Sequence, residues 1–379
     1  MNNKKKSINE LPKLHKLYSV FHKICRNTPL LKDIYSDNYS KYRFLKCKSK
    51  IFLNISKPEF IHWISTYNCN FHCEHCEASA GDKENISELE TEEVCKLMTE
   101  IGDMKVMKIF IGGGEPLVRK DLFIVVRCIL DAGMQYDVSS NSYLVSKFKE
   151  EFTKMPPNTF FTSIDGLEQT NDKMRMTGAF NRTLQALEFF RSIDVENRVV
   201  NTVVTSENIG ELSELKKIIL SSGATFWRFA LAIPVGRAKK NNKMYLSDEQ
   251  IMYLFNFVED TRKEFNVGIS EDAGYFGGLS LKLRDEPFFC GAGLTKCTVD
   301  ADGEVYGCQI AYDNKFSEGN VRDISFKEIW QKGFSLFRYP QLNKECLECK
   351  YVGTCRGGCW GMRLENMHCL KRIWGDNGM

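Results

Sequence analysis

No stretch of this 379-residue chain approaches the ~18 consecutive apolar residues of a membrane-spanning helix. The basic start, Met1-Asn2-Asn3-Lys4-Lys5-Lys6, has no apolar run behind it. It therefore does not read as a secretory signal, and the protein is expected to stay in the cytoplasm. Neither sign of charge dominates, with 52 Lys+Arg against 49 Asp+Glu. That balance, with 12% aromatic residues, excludes a solvated disordered chain. Internal repeats and low-complexity tracts are missing, and so is any nucleic-acid-binding motif. Charge is nevertheless uneven: residues 1–50 hold 13 basic and 3 acidic side chains, a local surplus that suits an acidic partner or a packed amphipathic arm.

What the chain has in abundance is cysteine, 15 in all. Thiols in a reducing compartment point to metal or redox chemistry, not to a disulfide framework. Most fall into three groups: Cys69, Cys73 and Cys76; Cys290, Cys297 and Cys308; and Cys346, Cys349, Cys355, Cys359 and Cys369. Cys25, Cys47, Cys95 and Cys128 stand apart and read as small buried hydrophobes without a role.

From residue 60 the chain alternates β-rich runs with helical periodicity. Strands are expected at 60–66, 106–111, 135–139, 160–164, 199–204 and 225–230. Helices are expected around 94–101 and at 121–132, 180–193 and 211–221. Six β/α units imply a parallel sheet. Six is two short of a closed (β/α)8 barrel, so the expected α/β fold is an open, partial (β/α)6 TIM-like barrel. A helical stretch at 247–265 follows. From about residue 285 the chain becomes glycine- and cysteine-rich with little periodicity, which predicts a small irregular segment with little apolar core, stapled by metal. The expected organisation is an arm over 1–55, the barrel over 56–235, a bridge over 236–284 and the cysteine-rich domain over 285–379.

Cys69-x3-Cys73-x2-Cys76 directly follows the first strand. Carboxyl ends of strands form the catalytic face of α/β barrels. A [4Fe–4S] cube normally takes four cysteines, so three leave one iron with an open position. The competing reading is zinc held by these cysteines with His72 or His75.

This spacing resembles the signature of radical S-adenosylmethionine enzymes. The resemblance implies that S-adenosylmethionine chelates the open iron and that its reductive cleavage yields a 5′-deoxyadenosyl radical, which abstracts hydrogen from a substrate. It further implies that His75 meets the adenine. Gly112-Gly113-Gly114-Glu115-Pro116 resembles the family's methionine-binding loop, in which glycines permit close backbone approach and Glu115 pairs with the ammonium. Ser139-Ser140-Asn141 and Ser163-Ile164-Asp165-Gly166, with Arg175 downstream, occupy further positions of the family pattern. Ser163 and Arg175 are candidates for the methionine carboxylate. The similarity covers about residues 60–235.

The carboxy-terminal cysteines resemble the SPASM extension, an auxiliary-cluster module. Cys290-x12-Gly303-x4-Cys308 and Cys346-x2-Cys349-x5-Cys355-x3-Cys359-x9-Cys369 match its spacing. The resemblance implies two auxiliary [4Fe–4S] clusters, three in total. The first would use Cys290, Cys297, Cys308 and Cys359. The second would use Cys346, Cys349, Cys355 and Cys369. Cys297 lies outside the seven-cysteine pattern, and without it the first auxiliary site would be open. Residues 279–323, with Arg356-Gly357-Gly358-Cys359, are similar to the mycofactocin maturase branch, whose members oxidatively decarboxylate and crosslink the end of a precursor peptide.

The expected function is thus a peptide maturase acting on a ribosomally made precursor by decarboxylation, crosslinking or epimerisation. Its expected partners are a low-potential donor such as flavodoxin or ferredoxin and, because the arm is shorter than a leader-binding domain, a separate leader-binding protein. Two other readings stand beside it. One is an enzyme trimming tetrapyrrole side chains, in which Arg237, Lys239, Lys240 and Lys243 would grip propionates. The other is non-enzymatic, a cysteine-rich zinc scaffold or an electron-transfer protein.

Overall fold

A computed structural model describes residues 29–52, 56–82, 86–310, 313–364, 369–370 and 373. The chain opens with helix α1 (Pro29–Phe52), part of the expected arm. The rest of that arm, residues 1–28 and 53–55 with Cys25, lies outside the described residues. Then come β1 (Phe60–Ile64), α2 (Thr91–Asp103), β2 (Lys108–Gly112), α3 (Leu122–Asp131), β3 (Gln135–Ser139), α4 (Lys149–Lys154) and β4 (Thr159–Ser163). They are followed by α5 (Glu168–Met174), α6 (Ala179–Ser192), β5 (Asn197–Val204), α7 (Leu212–Ser221), β6 (Phe226–Leu231) and α8 (Asp248–Thr261). All six expected strands are present, within three residues at each end.

These strands pair in parallel in sequence order, as the β/α alternation requires. Residues facing the helices are fully buried: Ile61, Trp63, Ile109, Ile111, Phe160, Val200, Trp227 and Phe229. The alternate positions, among them His62, Phe110, Phe161, Ser163, Asn201 and Arg228, are half-buried and line the concave side. That two-residue period separates a packed outer layer from a lumen lined by polar and aromatic side chains.

Three strands unforeseen in the sequence widen the sheet to nine. β7 (Val267–Ile269) joins β6, and β8 (Lys296–Val299) joins β1 in parallel, with β9 (Val305–Tyr306) antiparallel beyond it. The cysteine-rich segment is therefore not coreless. Val299, Val305, Phe326, Ile329, Trp330 and Phe334 are all at most 1% exposed and belong to the main apolar core. Burying each such large side chain is worth roughly 1.5–3 kcal/mol. Helix α9 (Phe326–Lys332) carries three of them, started by Ser325 accepting from Glu328 N.

The isolated cysteines divide. Cys47 of α1 is a small buried hydrophobe beside Leu281, Phe289 and Leu294. Cys95 and Cys128 are instead joined by a disulfide between α2 and α3, contrary to their reading as unconnected hydrophobes. The two helices pack side by side, an adjacency that a separation of 33 residues does not reveal. Among the described residues, no helix is long and apolar enough to cross a membrane.

Candidate functional site

The loop after β1 carries Cys69, Cys73 and Cys76 and is fastened at many points. Ser65 donates through N and Oγ to Gly112 O, both at 2.9 Å. The Glu88 carboxylate accepts from Thr66 Oγ1 at 2.7 Å and from Tyr67 N at 2.9 Å. Tyr67 Oη reaches Asp300 in the carboxy-terminal segment at 2.7 Å. Against this loop lies the glycine turn after β2. Gly114 N donates to Thr66 O at 2.7 Å and Glu115 N to Asn68 O at 2.9 Å. A Cβ on Gly113, where φ is +122°, would stand 2.5 Å from Thr66 O, and one on Gly114 would stand 2.2 Å from Asn68 O. The glycines are thus required by a backbone contact that tolerates no side chain.

Glu115 is fully buried, yet its carboxylate is fixed on three donors: Leu117 N at 3.0 Å, Ser140 Oγ at 2.9 Å and Asn141 N at 2.7 Å. Burial pushes its pKa up to about 7 despite those bonds, so a cation beside it would be strongly favoured. Pro116 opens the short 3-10 turn Pro116–Val118 that aims the carboxylate. Asn141 Nδ2 donates to Asn70 Oδ1 at 2.8 Å, tying the end of β3 to the cysteine loop.

Asp165, just past β4, is also fully buried. Its Oδ1 accepts from Val203 N at 2.8 Å, and its Oδ2 lies 2.5 Å from Arg175 Nε and 3.2 Å from His75 Nε2. Burial opposes the carboxylate, but Arg175 and then His75 outweigh it and hold its pKa below the usual range. Both oxygens being occupied, Asp165 orients Arg175 and His75. Burial drives His75 down to about 4, and its Nδ1 is buried without a partner. Ser163 ends β4, half-buried, next to Asn201 in the sheet.

Arg237, read from sequence as a substrate-gripping cation, is instead a brace. Its Nε donates to Cys73 O at 2.8 Å, and its Nη1 to Ala80 O at 2.9 Å and to Asp82 at 2.7 Å. Gly236 before it lies against the same loop, where a Cβ would meet Cys76 O at 2.3 Å. The signal available was a glycine–arginine pair just beyond a barrel strand. Lys243 sits 3.7 Å from Glu207, on the surface.

The carboxy-terminal thiols fall into two sets. Cys290, Cys308 and Cys359 lie within electrostatic range of one another, with the Lys296 ammonium beside Cys290 and Cys308. Cys346, Cys349, Cys355 and Cys369 likewise associate, Cys346 and Cys355 lying on short helices at Lys344–Leu347 and Val352–Cys355. Cys297, expected in the first set, stands apart from both. It is 1% exposed within β8, opposite Ile61, and packs into the main core. Strand alternation puts Lys296 in the lumen and turns Cys297 to the helix side.

The donor set fits iron–sulfur clusters. Burial pushes Cys69, Cys308 and Cys355 up to about 12, so as bare thiols they are poor nucleophiles, and a positively charged metal group would supply the missing compensation. Near Cys69, Asn70 Nδ2 is a buried donor without a partner, as His75 Nδ1 is on the other side of the loop. Among the described residues, no three His, Cys, Asp or Glu side chains gather tightly enough to hold a single metal ion. A separate cavity of about 550 Å³ between α7 and α8, lined by Lys216, Tyr253 and Phe257, contains none of the candidate residues.

Residues 63–219 match the Radical SAM superfamily and residues 290–350 the SPASM iron–sulfur cluster-binding domain. The chain belongs to the radical SAM enzymes that carry a SPASM domain, and it acts by radical chemistry with iron–sulfur clusters and S-adenosylmethionine. Within that family it is similar to mycofactocin maturase MftC of Mycolicibacterium smegmatis, 30% identical over 325 residues, 82% of this chain and 80% of that protein. It is also similar to the AdoMet-dependent heme synthase of Oleidesulfovibrio alaskensis, 27% identical over 335 residues, 82% and 85% of the two chains. Among solved structures, Streptococcus suis SuiB bound to S-adenosylmethionine shares the fold, with a TM-score of 0.66 at 18% identity over 82% of this chain and 74% of that one. SuiB has also been solved with its precursor peptide SuiA.

Proposed function

We propose that this enzyme is a maturase of a ribosomally made peptide, starting its reaction by hydrogen-atom abstraction. The observation that carries the reading is the 30% identity to a peptide maturase, spread over four-fifths of both chains and spanning barrel and cysteine-rich segment alike. Cys69, Cys73 and Cys76 would hold the catalytic cluster, which with S-adenosylmethionine supplies a 5′-deoxyadenosyl radical. Gly113 and Gly114 keep the turn closed on the cysteine loop, and Pro116 fixes the carboxylate behind it. Glu115, pinned by Ser140 and Asn141, receives the methionine ammonium and is drawn to its ionised form. Ser163 and Arg175 take the methionine carboxylate, Arg175 being held in place by Asp165. His75 lies where the adenine binds, and Asn141 anchors the loop around Cys69.

In this proposal the chain carries three clusters. The first auxiliary site has three thiols, Cys290, Cys308 and Cys359, and so has room for a ligand that is not cysteine. The second is ligated by Cys346, Cys349, Cys355 and Cys369. A flavodoxin or ferredoxin in the cytoplasm would supply electrons, and a separate protein would present the leader. The similarity to a heme synthase keeps tetrapyrrole side chains as the second reading.

The test is anaerobic reconstitution, with iron and sulfide counted per chain and 5′-deoxyadenosine measured on two candidate substrates. One is a peptide encoded beside the gene, the other iron coproporphyrin. The expected result is about twelve irons, with deoxyadenosine formed and the peptide changed in mass. Turnover of the porphyrin with the peptide unchanged selects the second reading. Zinc without deoxyadenosine overturns both.

A further inference from the structure

The lumen holds a half-buried cation to which the proposed S-adenosylmethionine contacts give no role. Arg228 projects from β6 into the concave side, level with Asn201 of β5 and Ser163 of β4 in the register of the sheet. Its Nε donates to Asn201 Oδ1 at 2.7 Å, and its guanidinium lies 5.1 Å from the centre of the Phe161 ring. Both contacts fix the plane of the guanidinium, and neither neutralises it. Among the described residues, no carboxylate stands within ion-pair distance of Arg228.

The surrounding acids are engaged elsewhere. Glu271 is bonded to Lys296 at 2.7 Å, and Asp272 accepts from Ser270 and from Ala273 N. Asp272 is close enough to be felt by Arg228, but burial pushes its carboxyl above the ordinary range, toward the neutral form. A guanidinium partly withdrawn from water without a paired counter-ion is stabilised by an anion that reaches it. Arginine grips a carboxylate through two parallel N–H bonds, and the Asn201 contact uses only Nε. The floor beside it is aromatic: Phe161 packs on Phe110 at 5.0 Å, and Phe110 on the His62 ring at 4.5 Å. An anion and a flat or apolar body are thus accommodated side by side.

We propose that Arg228, oriented by Asn201 and Phe161, is the specificity residue that binds a carboxylate of the substrate in the barrel lumen. This rests on the reading of the lumen as the substrate site, but the same chemistry serves a peptide carboxyl and a porphyrin propionate. The partner is therefore defined as a carboxylate on an apolar or aromatic body.

The test uses the reconstituted full chain and titration calorimetry with two matched pairs of probes. One pair is a synthetic tyrosine-terminated peptide with a free carboxyl end and its carboxy-terminal amide. The other is coproporphyrin III and its tetramethyl ester. Wild type is expected to bind the acid member of at least one pair about tenfold or more tighter than its neutral partner, the range of a charge-assisted hydrogen bond. Arg228→Gln erases that preference by weakening the acid member alone. Asn201→Ala keeps the charge but frees the guanidinium, so part of the preference remains. If Arg228→Gln fails to fold by circular dichroism, Asn201→Ala and Arg228→Lys carry the test, each predicting a reduced ratio. The proposal is overturned if wild type shows no preference in either pair, or if every folded variant keeps the wild-type ratio. A preference in the porphyrin pair alone that depends on Arg228 supports this residue and removes the peptide reading. A peptide preference that survives Arg228→Gln does the reverse.

Discussion

The two cysteine-rich stretches of this chain solve the same problem by opposite means. Around Cys69, Cys73 and Cys76 the protein supplies the scaffold itself, through Glu88, Tyr67, the glycine turn and Arg237, all bonded to one loop at the rim of a nine-stranded sheet. Around Cys346, Cys349, Cys355 and Cys369 the described residues form helices of four or five residues, with Thr354 the one buried residue of Lys344–Leu347 and Val352–Cys355, and with a small apolar cluster of Tyr275, Phe288 and Tyr351 against Cys349 and Cys355. The first loop is preorganised by backbone contacts. The second has a small apolar cluster and four thiols, so bound metal is expected to provide much of its folding energy. Cys290, Cys308 and Cys359 fall between these cases, because they rest against the main core.

The largest effect should come from the scaffolded loop. Cys73→Ala is expected to abolish deoxyadenosine formation, by at least about 10³-fold in rate, while far-ultraviolet circular dichroism stays that of wild type, since Cys73 carries little of the core. Loss of the circular dichroism signal would mean that the loop depends on metal as the distal one does. Next, Gly114→Ala inserts a methyl 2.2 Å from Asn68 O. Overpacking of about 1–3 kcal/mol is expected there. It should appear as a lower melting temperature and a Michaelis constant for S-adenosylmethionine raised tenfold or more.

A smaller, sharper contrast separates two cysteines seven residues apart, Cys290 and Cys297. Cys290→Ala should lower the iron content of the reconstituted protein, whereas Cys297→Ala should retain the wild-type content and lose about 1–2 kcal/mol of stability to denaturant, through a small cavity in the core. Iron lost equally from both variants would restore Cys297 as a ligand.

The smallest effect concerns the seam between the two regions. Arg322 holds Glu93 of α2 at 2.7 Å and also donates to Ser87 O and Glu88 O. The hydrogen bond from Arg322 depresses the Glu93 pKa to about 2. A depressed carboxylate stabilises the fold above its unfolded pKa of about 4.5 and loses that contribution as pH falls toward 2. The pair is partly exposed, so the loss should stay below about 1 kcal/mol, and it should vanish in Arg322→Ala when denaturation is followed across that range.

Legibility in the sequence followed the same divide. Where strands run five to eight residues and alternate with amphipathic helices, periodicity and turn chemistry located them, and the spacing of Cys69, Cys73 and Cys76 marked the rim. β8 is only four residues long and pairs with β1 from more than 230 positions away, a contact that no local pattern encodes. That pairing also turns Cys297 away from Cys290 and Cys308. The apolar core of α9 did have a signal, in the helical spacing of Phe326, Ile329 and Trp330, which the surrounding cysteines and glycines masked. Arg237 looked like a surface cation because its acceptors, Cys73 O and Ala80 O, are backbone groups about 160 residues earlier.

The most direct measurement is hydrogen–deuterium exchange on the full chain with and without its clusters, compared between residues 66–81 and 343–364. The account predicts that the loop around Cys69 keeps most of its protection when metal is removed and that the distal stretch loses nearly all of it. Equal loss in both would contradict the view that the protein builds one site and the metal builds the other.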